Sequence, residues 1–274
     1  TLKLYEYEKD LNKNINSLYE KIKDGNLKDK ELECKEFFEI PKSFDDNSKK
    51  DNIHFFSSFL KHHDFNIESI SLKFRKVIDA DINFHIVSAL WILKIGQFID
   101  EKFDSNIYGS RLTRIKPVDT SSCEYDLSNQ KYNEESSKIF ESYHHKYQAW
   151  RNNSFKAIRE LHKTSSVIAV TMDITSFYHS IELNEFKEDK FYNKFSLDSK
   201  FEKNHKLKQF HESFIGLLLL WNDAIESENG LPIGLSASSV LANAVMKDFD
   251  EKVIKNLAPT YYGRYVDDIL LVFP

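Results

Sequence analysis

Three aspartates stand where a folded chain could gather them. Asp173 ends the β-branched run of "SSVIAVTMDITSFYHSI" (165–181), and Asp267 and Asp268 lie side by side in "YYGRYVDDILLVFP" (261–274). Adjacent carboxylates repel, and charge beside apolar strands is costly to bury without compensation. A solvated hairpin tip would leave the pair inconsequential. If the strand ending at Asp173 pairs beside the hairpin, three carboxylates instead converge at one sheet edge. Such a group is unstable alone but offers oxygen ligands to two Mg²⁺ ions, with Mn²⁺ as the substitute. Two ions about 3.5–4 Å apart can activate a 3′-hydroxyl and stabilise a leaving pyrophosphate. The chemistry would be metal-assisted nucleotidyl transfer.

The elements that must position these groups can be read from pattern. Residues 165–172 form a buried strand by composition and length, and the closing segment reads as strand, acidic tip, strand. Between them, "NGLPIGLSASSVLANAVMKDFDEKVIK" (229–255) begins with Gly and Pro and runs into a helix. Small residues Ser236, Ser239 and Ala242 mark one side, and Leu241, Val245 and Phe249 another. Upstream, "FHIVSALWILKIGQFIDEKF" (84–103) reads as one long helix with Ile86, Leu90, Leu93 and Gln97 along a face. "YHHKYQAWRNNSFKAIRELHK" (143–163) reads as a basic helix interleaved with Tyr147 and Trp150. Residues 1–52 read as a charged amphipathic helical segment, with 41–52 as a polar loop, and 117–139 as a surface insertion. Three parts follow: a charged helical segment over 1–65, then 66–164, then 165–274.

Composition bounds the rest. The 274 residues suffice for one large domain or two small ones, and 41% hydrophobic with 14% aromatic content predicts a folded chain. The net charge of −5 does not suggest a whole-protein nucleic-acid footprint and counts only mildly against such a partner, since "LKFRK" (72–76) and "RLTRIK" (111–116) supply local positive surface. Cys34 and Cys123 lack metal spacing or pairing logic, and the run Phe214–Trp221 is too short to span a bilayer. A cytoplasmic, bacterial protein with no membrane partner is the expectation.

In order and spacing, the three segments resemble motifs A, B and C of reverse transcriptases. "YVDD" is a form of the family's motif C tetrapeptide, "DITSFYHSI" is similar to motif A of the bacterial enzymes, and "GLPIGLSASSVLAN" to motif B. "LKFRKVIDADINFHIVSALWILKIGQFIDEKFDSNIYGSRL" has the layout of the fingers of group II intron and retron enzymes, so the likeness covers about residues 70–274. The resemblance implies an α+β right-hand polymerase: fingers over 66–164 and an antiparallel palm sheet backed by helices over 165–274. An α-rich N-terminal region precedes them, and no thumb is expected within these residues. Asp173 and Asp267, with the Ile174 carbonyl, resemble the metal ligands, and Asp268 the third carboxylate. Ser176 and Phe177 would offer backbone N–H groups to a triphosphate, and Tyr178 matches the gate that selects deoxynucleotides. Arg75 resembles the triphosphate clamp, and Ile233 and Gly234 would lie under the nascent pair. Arg111 is read as either structural or template-contacting, and Arg114 and Arg151 as further template candidates.

Departures from the pattern carry consequences. The motif B Gln is Ile233, which removes a hydrogen-bonding group, and the Lys expected before Arg75 falls at Ser69, leaving Lys73 as its substitute. The expected partners are dNTPs, an RNA template (a noncoding RNA among the options) and DNA product, with an oligomer or a partner to supply a thumb. "SFYHS", "YYGRYVDDILLVF" and "WRNNSFKAIRELHK" look most like the abortive-infection and defence-associated antiphage group. Template-independent or protein-primed synthesis by the same site, and a non-catalytic module that binds RNA or a partner, remain the alternatives.

Overall fold

The computed structural model describes residues 2–25, 27, 32, 34, 36–46, 70–115, 131–225 and 230–274. Ser69, Cys123 and most of the 117–139 insertion lie outside them. Helices α1 (Leu2–Lys9) and α2 (Leu11–Ile22) open the chain. Only Leu18 of these two helices is buried, and Lys3–Asp79 (3.0 Å) and Tyr7–Asn83 (2.8 Å) contacts tie α1 to the start of the next helix.

Strand β1 (Phe37–Asp46) pairs antiparallel with β2 (Ile70–Ile78), setting Ile40 opposite Arg75. This corrects two expectations: residues 41–46 are strand rather than loop, and the 1–65 segment is not helical throughout. Residues 37–42 of this two-stranded ribbon are exposed, and such a ladder needs no apolar alternation to form. The register shifts between Pro41 and Ser43, where proline offers no ladder donor.

Helix α3 (Ile82–Asp100) starts at Asp81, whose side chain accepts from Asn83 N at 2.8 Å, and contains a π turn at Ile92–Gly96. It is long and apolar enough to cross a membrane, yet Val87, Trp91, Ile92, Ile95 and Ile99 are wholly buried in the protein core. The expected face of Ile86, Leu90, Leu93 and Gln97 is only partly buried. The wider π turn rotates the later residues, and packing on several sides replaces a single stripe.

Helix α4 (Tyr143–His162) matches the expected basic helix. Beyond β3 (Ile168–Met172) come the short helices α5 (Asp189–Lys194) and α6 (Asp198–Lys203), then the core helices α7 (His205–Ala224) and α8 (Ser236–Leu257). The hairpin β4 (Tyr261–Tyr265) and β5 (Asp268–Phe273) completes a three-stranded antiparallel sheet of order β3-β5-β4. Tyr262, Ile269 and Leu271 join the main core with α8, while Tyr147 and Trp150 of α4 cover Tyr265. The strand β3 is exposed along its length rather than buried, whereas β4, at the other edge of the same sheet, is covered by α4 and α8. The result is a mixed helix and sheet fold built on a small antiparallel sheet.

Candidate active site

Register brings the aspartates together. Met172 pairs with Ile269 in the antiparallel β3–β5 ladder, so one step further sets Asp173 opposite Asp268. Asp268 also pairs with Tyr265, leaving Val266 and Asp267 as the turn. Val266 is left-handed, at φ +57°. Burial, with the Asp173 charge as a further cause, pushes the Asp267 carboxyl above its usual range. Burial, and then the charges of Asp267 and Asp173, do the same to Asp268. The three carboxylates therefore act on one another in a partly desolvated place.

Two residues from distant segments reach the same point. The exposed Arg75 on β2 opposes the rise at Asp267, so its charge acts on the acidic tip. Tyr178 has its hydroxyl hydrogen-bonded to Ser239 of α8, and burial and the nearby Asp267 raise its pKa. The backbone around it is fixed locally. Ser176 is left-handed (φ +53°) and starts the short turn that buries Phe177, while Ile174 packs against the core. Leu231 N donates to the Tyr178 carbonyl at 2.8 Å, and a Cβ on Gly230 (φ +113°) would collide with that carbonyl.

The loop before α8 is bonded to β2. Ile78 N donates to the Ile233 carbonyl at 2.9 Å, and Gly234 (φ +99°) lies against Val77. At the start of α8 the Ser88 hydroxyl of α3 accepts from Ala237 N at 3.0 Å and contacts the Ser236 hydroxyl at 2.9 Å. A cap from another helix thus fixes α8, which has no side-chain cap of its own.

Two template candidates are relocated. Arg111 and Arg114 are each 3% exposed. Arg111 donates to Asp100 Oδ1 (2.9 Å) and to the carbonyls of Asp104, Ile107, Asp100 and Phe103, and Arg114 bonds the other Asp100 oxygen. Of the two readings of Arg111, the structural one holds, and Arg114 is equally withdrawn from any template. Arg151 is exposed on α4. Sequence reasoning missed Arg264, Asp250 and Asn243, a buried polar group that joins the hairpin to α8. The signal was present in "YYGRY", a charge in a strand with apolar neighbours.

Among the described residues no three His, Cys, Asp or Glu side chains are already closed into a metal cluster. The donor set nonetheless fits a hard divalent cation. It is all oxygen, and burial, then mutual repulsion, drives two of its carboxyls towards protonation, a cost that a cation would relieve. No curated protein matches the chain in sequence. The family described as reverse transcriptase (RNA-dependent DNA polymerase) matches residues 101–274, more than half of the chain and all of the three-aspartate segment. The chain belongs to the reverse transcriptase family.

Proposed function

We propose that the protein is an RNA-directed DNA polymerase whose fingers are built on β1–β2 and whose palm is built on β3–β5–β4. The observation that carries this reading is the strand register that brings Asp173 beside the Asp267–Asp268 turn, where the three carboxylates and Arg75 act on one another. Asp173, Asp267 and the Ile174 carbonyl would hold two Mg²⁺ ions, with Asp268 beside them. Bound there, the ions would lower the pKa of a primer 3′-hydroxyl and neutralise the triphosphate.

The chain's own groups do the rest. Arg75 would pair with phosphate oxygens through its planar fork. The backbone N–H groups of Ser176 and Phe177 would donate to the triphosphate. The Tyr178 ring, held by Ser239 and the Gly230–Leu231 backbone, would stand where a 2′-hydroxyl would otherwise fit. Ile233 and Gly234 would form the floor under the new base pair. With Ile233 in place of a hydrogen-bonding side chain, that floor reads shape rather than polar groups. Arg151 and its basic neighbours on α4 would favour a polyanionic partner. A role in phage defence rests on the likeness of "SFYHS", "YYGRYVDDILLVF" and "WRNNSFKAIRELHK" to antiphage enzymes.

The test is incorporation of labelled dNTPs by the purified protein with Mg²⁺, with and without an RNA template and DNA primer. Synthesis that requires the template is the expected result. Synthesis without template, or DNA left covalently on the protein, would replace templated copying with untemplated or protein-primed synthesis. No incorporation under any condition would leave a binding module.

A further inference from the structure

We infer that Arg264 is a positioning residue that holds the left-handed Val266 and thereby aims Asp267 and Asp268. This inference rests on the reading of the three aspartates as metal-binding carboxylates.

Arg264 is fully buried in β4. Its Nε and Nη2 donate to the two oxygens of Asp250 on α8, both at 2.8 Å. Asp250 Oδ1 also accepts from the Tyr262 hydroxyl, so the carboxylate is held from two residues of β4. The remaining arm reaches elsewhere: Nη1 donates to Asn243 Oδ1 at 2.9 Å and to the Val266 carbonyl at 2.7 Å. The second contact lies across the turn, on the peptide that leads into Asp267.

Val266 needs such a hold. A β-branched residue in the left-handed region costs roughly 1–2 kcal/mol and persists only where its surroundings enforce it. Arg264 fixes the carbonyl side. Gly109 closes the other side, since a Cβ there would stand 2.6 Å from Val266 N and 2.7 Å from its Cγ2. Asn243 joins the two supports, because its Nδ2 donates to the Gly109 carbonyl at 2.8 Å. The Arg264 backbone is pinned as well, accepting from Tyr108 N (2.8 Å) and donating to Asn106 (3.0 Å). Segment 106–109, helix α8 and the hairpin thus meet around one peptide.

Lysine at 264 keeps a positive charge for Asp250, but a single ammonium cannot span Asp250, Asn243 and the Val266 carbonyl. The experiment compares wild type with Arg264→Lys in the full chain. Its readouts are Mn²⁺ affinity by electron paramagnetic resonance, melting temperature, and kcat and KM for dNTP. Positioning predicts a folded variant with Mn²⁺ affinity and kcat each lowered about 10- to 100-fold and KM little changed. A variant with wild-type Mn²⁺ affinity and kcat overturns the inference, however far its melting temperature falls. If Arg264→Lys does not fold, Asn243→Ser, which spares the Asp250 pair, is judged by the same two quantities. Wild type that binds Mn²⁺ but incorporates nothing ends the polymerase reading, while the Mn²⁺ comparison still decides the role of Arg264. Wild type that binds no Mn²⁺ overturns both.

Discussion

Gly234 lies against Val77 so closely that a Cβ on residue 234 would stand 2.7 Å from Val77 Cγ1. The contact joins the loop before α8 to the strand that carries Arg75, two residues away. Gly234 is also left-handed, which L side chains rarely adopt. Gly234→Ala is expected to cost about 1–3 kcal/mol, read by urea unfolding. Val77→Ala in the same chain should restore part of that loss by freeing space, though not the part due to backbone strain.

Arg111 and Arg151 should separate stability from nucleic-acid affinity. Arg111→Ala leaves the Asp100 carboxylate buried and short of a partner, at a cost of about 3–5 kcal/mol. Arg151→Ala, on an exposed helix face, should change stability by less than about 0.5 kcal/mol. Filter binding of RNA–DNA duplex should weaken for Arg151→Ala and stay unchanged for whatever fraction of Arg111→Ala folds.

His211 makes the fold acid-sensitive. Trp91 Nε1 donates to its Nδ1 at 3.1 Å, so Nε2 carries the proton and donates to the Phe186 carbonyl at 2.8 Å. Complete burial pushes its pKa down to about 4. The folded state therefore takes up this proton less readily than the unfolded chain. Its contribution is fully present above about pH 6.5 and is lost as pH falls towards 4, by roughly 3 kcal/mol in total. Urea unfolding across that window should show the slope, and His211→Gln should flatten it.

The acidic cluster should carry the opposite sign. The Asp267 carboxyl is raised in the fold, so its protonated form stabilises the protein and that contribution is lost as pH rises through the raised value. Without metal at neutral pH, Asp267→Asn should melt above wild type, and the advantage should vanish below the ordinary carboxylate range. Added Mg²⁺ should raise the wild-type melting temperature and leave that of Asp267→Asn nearly unmoved.

What could be read in the sequence was the order of chemistry-bearing turns. Asp173 ends an apolar strand, Gly230 and Gly234 mark backbone that must bend, and the Asp267–Asp268 pair interrupts a hairpin, so local pattern carried each of them. Strand β1 was hidden because "PKSFDD" carries no alternation of apolar and polar residues. The apolar β3 run suggested burial, yet Ile168 is 59% exposed, because burial is set by which helices cover a strand and that is decided by the tertiary fold. The Arg264–Asp250–Asn243 group was hidden for a deeper reason. A charged residue reads as surface unless its partner is known, and Asp250 lies on another element, reached only through the tertiary fold. Of "YGSR", the residue that touches the acidic turn is Gly109, while Arg111 is spent on the core.

The central claim is that Asp173, Asp267 and Asp268 form one metal-dependent nucleotidyl-transfer site. Single-turnover incorporation of one labelled dNTP with Mg²⁺, by wild type, Asp173→Asn and Asp267→Asn, tests it most directly. Incorporation by wild type, with loss to background in both variants while each remains folded, is the predicted result. Wild-type rates in either folded variant would contradict it.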